Sequence, residues 1–230
     1  MVLKPAEKTP LSALRLADVL YQAGLPPAMF SVVTGDPADI ADEMITNEHS
    51  AMITFTGGAR IGKSIAERAG YRRMILELGG NDPLIGMDDA DLERAAGLAV
   101  AGAFRNSGQR CTAVKRIFAH RDIAGEFVPL LVDKAAGLVC GDPMDPATDI
   151  GSVIDETAAK LFEARVGNAV SRGAELLLGN QRQGAVYPPT VLDHVPFDCE
   201  LVFEETFGPI APVIRFDDID DVIAKTNSTA

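Results

Sequence analysis

The sequence predicts an α/β fold built on a parallel sheet. Two observations lead to this prediction. Short apolar runs rich in β-branched residues alternate with amphipathic helical patterns through roughly the first eighty positions, and glycine or proline ends most of these segments. With 230 residues, of which 47% are hydrophobic, the chain is long enough to form one large domain or two small ones.

The first part of the chain alternates between predicted helices and predicted strands. Apolar residues recur at helical spacing in TPLSALRLADVLYQ, whereas MFSVVTG, AMITFTG and RMILELGG are apolar runs of strand length. In a parallel α/β sheet, ligands bind at the carboxyl ends of the strands. The predicted helices cover residues 9–22, 36–49 and 63–70, and the predicted strands cover residues 29–35, 51–57 and 73–80.

The second part of the chain begins with a longer predicted helix. Asp88 or Asp89 can cap this helix, which continues to Phe104 and places Cys111 just beyond its end. Three further patterns follow: a strand in AVKRIFAH, a helix in IAGEFVPLLVDKAAGL, and another helix over about residues 156–172. The segment GAELLLGNQRQGAVYPPTVLDHVP then predicts a strand, a glycine-containing turn and a second strand.

Charge and cysteine content exclude several classes of function. A formal net charge of −12 repels phosphate backbones and anionic lipids, so no nucleic-acid or membrane partner is expected. The start MVLKPAEKTP has no apolar signal region, and no run reaches the roughly 18 apolar residues of a membrane span, which favours a cytoplasmic location. Cys111, Cys140 and Cys199 are too few and too widely spaced for a disulfide framework or a zinc site, so no metal is expected.

The segment GGARIGKS, Gly57 to Ser64, fits the pattern of a phosphate-binding P-loop between a strand and a helix. A phosphotransferase that uses Lys63 and Ser64 is therefore one alternative. The sequence has no convincing apolar strand that ends in the aspartate such an enzyme needs for magnesium. The other interpretation is a glycine turn whose backbone N–H groups bind a pyrophosphate without phosphoryl transfer.

Three further positions carry side chains suited to catalysis or binding. Cys111 is either a small core residue or a nucleophile. It has cations near it in sequence that favour a thiolate, namely Arg110, Lys115 and Arg116. Glu77, at the end of a predicted strand, is either a general base or a turn cap. In FEETFGPI, a carboxylate and Phe207 can bind a ribose and a flat ring, or they can form a surface turn with Phe207 in the core.

Five segments, in order, resemble the signature segments of the aldehyde dehydrogenase superfamily: KPAEKTP, FTGGARIG, LELGGNDP, NSGQRCTA and EETFGPI. The resemblance implies that Cys111 is the nucleophile and Glu77 the general base. It also implies contacts to a dinucleotide cofactor and to the substrate. The implied cofactor-binding residues are Lys4, Glu7, Gly57, Gly58, Gly62, Leu78, Glu205 and Phe207, and the implied substrate-binding residues are Arg110 and Thr112.

The same resemblance implies a partial Rossmann-like parallel sheet joined to an incomplete α/β catalytic domain of the aldehyde dehydrogenase type. The cofactor-binding part is expected over residues 1–79 and the catalytic part over residues 80–230. The chain is expected to be a fragment of a longer enzyme that forms homo-oligomers. A non-catalytic remnant is a further alternative.

The implied reaction is the oxidation of an aldehyde to a carboxylic acid through a thiohemiacetal and a thioester on Cys111. NAD is expected in preference to NADP, because a Glu7 carboxylate accepts a ribose 2′-hydroxyl and repels a 2′-phosphate. Within the superfamily, LELGGNDP and GQRCTAVKR most resemble enzymes that oxidise phosphonoacetaldehyde or phosphonoformaldehyde. The sequence therefore favours an aldehyde with an anionic tail.

Overall fold

The computed structural model describes residues 1–229 and confirms the α/β fold. The chain divides into two compact units, Met1–Leu78 and the part from Gly79 onward. Most strand pairs in both units are parallel, as the alternation of strands and helices predicts. Among the described residues, no helix has the length and apolar character needed to cross a membrane.

The first unit contains two separate pairs of parallel strands. The longer pair runs in register from Met52 beside Arg73 to Gly57 beside Leu78. Its elements are β1 (Val2–Leu3), α1 (Leu11–Gln22), β2 (Ser31–Val32), α2 (Pro37–Thr46), β3 (Met52–Gly57), α3 (Ala59–Arg68) and β4 (Arg73–Leu78).

A small apolar cluster holds α2, α3 and the β3–β4 pair together. Ile45 and Ile65 are buried in it, and Phe55 from β3 packs against them. The carboxylate of Asp36 accepts the N–H of Ala38 at 2.8 Å, which fixes the start of α2. The predicted strand over residues 29–35 is largely wrong, because only two of its residues pair with a neighbouring strand.

The second unit is built on a five-stranded sheet with the order β5-β6-β9-β8-β7. The first four strands are parallel, and β7 is an antiparallel edge strand. The elements are β5 (Asp82–Gly86), α4 (Leu92–Phe104), β6 (Val114–His120), α5 (Arg121–Ala136), α6 (Glu156–Ser171), β7 (Glu175–Leu178), β8 (Thr190–Asp193), α7 (Glu200–Phe203), β9 (Ile210–Phe216) and α8 (Ile219–Thr226).

Strand β6 is an interior strand of this sheet, and apolar clusters cover both of its faces. Ile117 belongs to the apolar cluster that α4 and α5 form, whereas its neighbour Phe118 belongs to the cluster that contains α6. Successive side chains of a strand point to opposite faces of the sheet, so the helices cover both sides. This burial explains why AVKRIFAH was recognisable as a strand.

Two expectations for this unit were wrong in detail. The cap of α4 is Asp91, whose carboxylate accepts the N–H of Arg94 at 3.1 Å, and not Asp88 or Asp89. Strand β5 was not predicted, because Pro83 interrupts the apolar run. The proline is tolerated because β5 is an edge strand of its sheet.

Candidate active site

Cys111 lies on an irregular turn that follows α4. The chain leaves Phe104, passes through a short 3₁₀ segment at Arg105–Gly108, and reaches Cys111 three residues later with its side chain exposed. Asn106, Ser107 and Gly108 have φ values of 55°, 54° and 66°, which lie in the left-handed region that L-residues rarely occupy. The interpretation of Cys111 as a core residue is therefore wrong.

Side-chain hydrogen bonds hold this turn against the segment that precedes α6. The hydroxyl of Ser107 donates to the carbonyl of Gly151 at 3.1 Å. The N–H of Ile154 donates to the side-chain oxygen of Gln109 at 2.8 Å. Both contacts join a side chain of the turn to a backbone atom of that segment, so the turn before Cys111 is held by residues 44 and 45 positions further along the chain than the side chains they bond.

Gly79 and Gly80 lie between the backbone of Cys111 and the carboxylate of Glu205. The N–H of Gly80 donates to Oε1 of Glu205 at 3.0 Å. A Cβ atom on Gly80 would lie 1.8 Å from the carbonyl oxygen of Cys111, and one on Gly79 would lie 2.9 Å from Oε2 of Glu205. Within the second unit, the structure thus brings two of the predicted site residues, Cys111 and Glu205, to the same pair of glycines.

Lys115, which the sequence offered only as one of the cations near Cys111, is buried. Its Nζ donates to the carbonyl of Gly108 at 2.6 Å and to that of Gly208 at 2.8 Å. Burial lowers the pKa of Lys115 from 10.5 to about 7; the carboxylate of Glu205 opposes this shift, and the guanidinium of Arg110 adds to it. No local pattern in the sequence indicates this burial, because a lysine followed by an arginine also occurs at solvated strand ends.

The other predicted site residues of the second unit differ in their exposure and in their hydrogen bonds. An η-nitrogen of Arg110 donates to the carbonyl of Gly102 at 3.2 Å, and its buried Nε has no hydrogen-bond partner. Thr112 is exposed. Phe207 is 41% exposed, so the alternative that placed it in the core is wrong. The backbone carbonyl of Glu205 accepts a hydrogen bond from Arg165 at 2.8 Å, which fixes its loop.

In the first unit, the glycine turn joins β3 to α3. Gly57 ends the strand, Gly58 caps the helix, and Gly62 packs so closely that a Cβ on it would lie 2.2 Å from Cδ2 of Leu78. The first turn of a helix carries N–H groups without intrahelical acceptors. A Cβ on Gly58 would meet no atom within 4 Å, so the approach to this end of α3 is open.

The remaining predicted residues of this unit are polar side chains. Nζ of Lys4 lies 3.8 Å from Oε2 of Glu7 and donates to the carbonyl of Pro5 at 2.9 Å. The Lys4 side chain is 15% exposed and the Glu7 side chain 51% exposed, so the carboxylate is the more accessible partner. Glu77, near the end of β4, is exposed as well.

Comparison with known proteins decides the family. Residues 1–230 match the sequence profile of the aldehyde dehydrogenase family. The chain belongs to the aldehyde dehydrogenase family. This match leaves the phosphotransferase alternative for Gly57–Ser64 without support.

Three relatives illustrate the match of this aldehyde dehydrogenase chain. A 3-sulfolactaldehyde dehydrogenase of Priestia aryabhattai is 44% identical over 229 residues, which are 100% of this chain and 48% of that protein. A sulfoacetaldehyde dehydrogenase of Neptuniibacter caesariensis is 40% identical over 100% of this chain and 50% of its own length. The crystal structure of an NADP-dependent glyceraldehyde-3-phosphate dehydrogenase of Bacillus halodurans C-125, complexed with NADP, has a TM-score of 0.96 and 41% identity, covering 99% of this chain and 48% of that one.

The chain spans about half the length of the curated relatives it matches. Two expectations change with these findings. NADP is not disfavoured, because the Bacillus halodurans relative was crystallised with it. The two curated relatives described above carry the names of sulfo-aldehyde dehydrogenases, so the finer resemblance to phosphonoacetaldehyde enzymes is not specifically supported.

Replacement of Gly80 by alanine tests the close backbone approach. Because the new Cβ would meet a backbone carbonyl, the chain must shift, and we expect Gly80→Ala to lower the free energy of unfolding by about 1–3 kcal/mol. The matched control is Gly97→Ala in α4, where a Cβ meets no atom within 4 Å and alanine should stabilise the helix by up to about 1 kcal/mol. Urea denaturation measures both, and equal effects of the two substitutions would contradict the packing described.

The lowered pKa of Lys115 predicts a pH-dependent stability. Between pH 7 and pH 10.5 the unfolded chain binds more protons at this lysine than the folded chain, so stability rises with pH in this window, and the cost of burying the ammonium is fully present below it. We compare the unaltered protein with Lys115→Met, which has no group that titrates at this position. The difference between their free energies of unfolding should change in favour of the unaltered protein by up to about 1 kcal/mol for each pH unit in this window. Denaturation at several pH values measures this, and a difference that is constant with pH would contradict it.

Proposed function

We propose that the protein carries out the NAD(P)-dependent oxidation of an aldehyde to a carboxylic acid, with Cys111 as the nucleophile. One observation carries the proposal: Cys111 is an exposed thiol on a turn packed directly against Gly80, whose N–H is bound by Glu205. The other two thiols are poor candidates, because burial raises the pKa of Cys140 and of Cys199.

The residues present fit a dinucleotide. The open helix start at Gly58, with Gly57 before it and Gly62 packed on Leu78 behind it, suits a pyrophosphate, which backbone N–H groups and the helix dipole stabilise. Glu205 and the exposed Phe207 are proposed to hold the nicotinamide ribose. When bound, the dinucleotide accepts a hydride from the substrate.

Lys4 and Glu7 are proposed to contact the adenosine ribose. The exposed carboxylate of Glu7 can accept the 2′-hydroxyl of NAD. The ammonium of Lys4, 3.8 Å from that carboxylate, can pair with the 2′-phosphate of NADP. This pair of opposite charges supports a site that accepts either dinucleotide, and it replaces the expectation of a preference for NAD.

The proposed chemistry proceeds on Cys111 in three steps. Its thiolate attacks the carbonyl carbon of the aldehyde, and the new C–S bond gives a thiohemiacetal. Loss of hydride from this adduct leaves a thioester. Glu77 then takes a proton from a water molecule, which attacks the thioester and releases the carboxylic acid and the free thiol. The backbone N–H of Cys111 is proposed as a donor to the oxyanion of the adduct.

The proposed substrate is an aldehyde with an anionic tail. The two curated relatives named above act, by their names, on sulfo-aldehydes. A sulfonate or phosphonate has oxygens that an arginine binds through paired, charge-assisted N–H donors. Arg110, next to the nucleophile, and the exposed hydroxyl of Thr112 are proposed to meet this tail. The hydrogen bond from Arg110 to Gly102 supports the competing role of holding the loop.

Two broader properties also belong to the proposal. The three cysteines are free, which fits the reducing cytoplasm. A homo-oligomer is proposed from the family resemblance. Apart from the dinucleotide and the aldehyde, we propose no further small-molecule partner.

Turnover and thiol labelling together test the function. With sulfolactaldehyde or sulfoacetaldehyde and either NAD or NADP, we expect reduced dinucleotide to form, Cys111→Ser to abolish the reaction, and the control Cys140→Ala to retain it. Under limiting iodoacetamide, Cys111 should be alkylated before Cys140 and Cys199, because it is the exposed thiol.

Other outcomes would contradict the proposal. Stoichiometric labelling of Cys111 without turnover of any aldehyde would favour a non-catalytic role. Magnesium-dependent binding of ATP, without binding of NAD(P), would revive the phosphotransferase alternative. Alkylation of Cys140 or Cys199 before Cys111 would remove the thiol assignment.

Arg110→Ala tests the anionic tail. If Arg110 binds the tail, the substitution should lower kcat/KM for sulfoacetaldehyde. The loss should correspond to roughly 1.5–3 kcal/mol of transition-state stabilisation, and it should be far smaller for a neutral aldehyde of similar size. Arg105→Ala, which removes an exposed arginine from the same turn, is the matched control and should affect both substrates little. Equal losses on the anionic and the neutral aldehyde would show that Arg110 holds the loop instead.

A further inference from the structure

Lys115 is a buried cation that the proposed chemistry does not use. It is the second residue of β6, four positions after Cys111, and it is 3% exposed. A buried lysine is tolerated only where its N–H groups find acceptors, because burial costs the ammonium its hydration. Its hydrogen bonds therefore indicate what it contributes.

Those hydrogen bonds reach two different loops. We define the nucleophile turn as residues 106–111 and the ribose loop as residues 204–209. Nζ of Lys115 donates at 2.6 Å to the carbonyl of Gly108 in the nucleophile turn and at 2.8 Å to that of Gly208 in the ribose loop. The two loops also meet directly, because a Cβ on Gly108 would lie 2.2 Å from the carbonyl oxygen of Gly208.

We infer that Lys115 is a positioning residue, which holds the nucleophile turn and the ribose loop at one fixed separation by bonding a backbone carbonyl of each. Two other side-chain hydrogen bonds each restrain one loop only. Ser107 bonds Gly151, which restrains the nucleophile turn, and Arg165 bonds the carbonyl of Glu205, which restrains the ribose loop. Lys115 bonds both loops directly.

The consequence for catalysis rests on the proposed function. Cys111 carries the substrate, and Glu205 is proposed to hold the nicotinamide ribose, so the separation of their loops sets the distance over which hydride must move. Reactions of this kind depend steeply on the geometry of approach, and small displacements of the reacting groups are costly. Lys115 acts on this geometry without touching either reactant.

The number of N–H donors, and not the charge, is the property on which the bridge depends. Burial lowers the pKa of Lys115 to about 7, with the Glu205 carboxylate opposing the shift and the Arg110 guanidinium adding to it. The ammonium has three N–H groups and the neutral amine has two, so either form can serve both carbonyls. Glutamine keeps two N–H donors without a charge, whereas methionine keeps none.

Hydrogen exchange followed by mass spectrometry tests the bridge without reference to activity. The amides of Gln109 and Gly208 are hydrogen-bonded within their own loops, so they report on each loop. In Lys115→Met, exchange in peptides covering both loops should become about tenfold faster or more, while peptides from α5 stay unchanged. Lys115→Gln should stay within about threefold of the unaltered protein, and Lys160→Met, which removes an exposed lysine from α6, should change neither loop.

Three results would overturn the inference: unchanged exchange in both loops of Lys115→Met, a change in one loop alone, or a rise spread evenly over the second unit. If Lys115→Met does not fold, acetylation of the unaltered protein provides the test. A bridging Lys115 should react with acetic anhydride about a hundredfold or more slowly than Lys160. Equal rates would overturn the bridge.

Steady-state kinetics separate this inference from the proposed function. In an active enzyme, Lys115→Met should lower kcat about tenfold or more and leave KM for the aldehyde and for NAD(P) within about twofold, with Lys115→Gln recovering most of the rate. Faster loop exchange with unchanged kcat would overturn the positioning role. If the unaltered protein oxidises no aldehyde, the proposed function fails, while hydrogen exchange still decides whether Lys115 joins the loops.

Discussion

At Gly80 the chain has room for a hydrogen atom but not for a methyl group, because a Cβ there would lie 1.8 Å from the carbonyl oxygen of Cys111. The same condition recurs between Gly108 and the carbonyl of Gly208. The backbone at Gly80 therefore meets the backbone at Cys111 directly, and the backbone at Gly108 meets that at Gly208 in the same way. This packing lets the N–H of Gly80 reach Glu205 and lets one lysine reach two carbonyls.

Charges of both signs lie near the nucleophile, because the carboxylate of Glu205 and the guanidinium of Arg110 both act on Lys115. The protein has a net charge of −12, yet Lys115 and Arg110 lie close enough for each to affect the other electrostatically. Local cations attract an anionic ligand over short distances, even where the overall charge repels it, because salt screens distant charges more than near ones. The proposed preference for an anionic aldehyde is consistent with this arrangement.

Local pattern predicted much of the fold but little of the contact network. The helical spacing before Gln22 and the apolar runs of β3, β4 and β6 identified those elements, because a packed face leaves its period in the sequence. Two strands show no such period in the sequence: β2 has only two residues, and a proline interrupts the apolar run of β5. Motif resemblance identified Cys111 and Glu205 as candidates, and the structure places both beside Gly79 and Gly80.

The role of Lys115 could not be predicted, because its burial depends on residues far away in the chain. A lysine followed by Arg116 usually indicates a solvated strand end, and nothing in VKRIFAH distinguishes that case from a buried cation. One acceptor lies 7 positions away and the other 93 positions away. The exposure of Phe207 is equally non-local, since the aromatic ring itself favours a core position.

The left-handed residues before Cys111 explain why so many contacts converge on this turn. Asn106 and Ser107 are not glycine, and each costs about 1–3 kcal/mol in this conformation, so an isolated chain would relax to a different turn. The hydrogen bonds of Ser107 and Gln109, and the bond from Lys115 to Gly108, offset that cost only while the turn keeps its shape. A turn restrained in this way presents its thiol in one position, and a nucleophile that must meet both an aldehyde and a hydride acceptor requires such a fixed position.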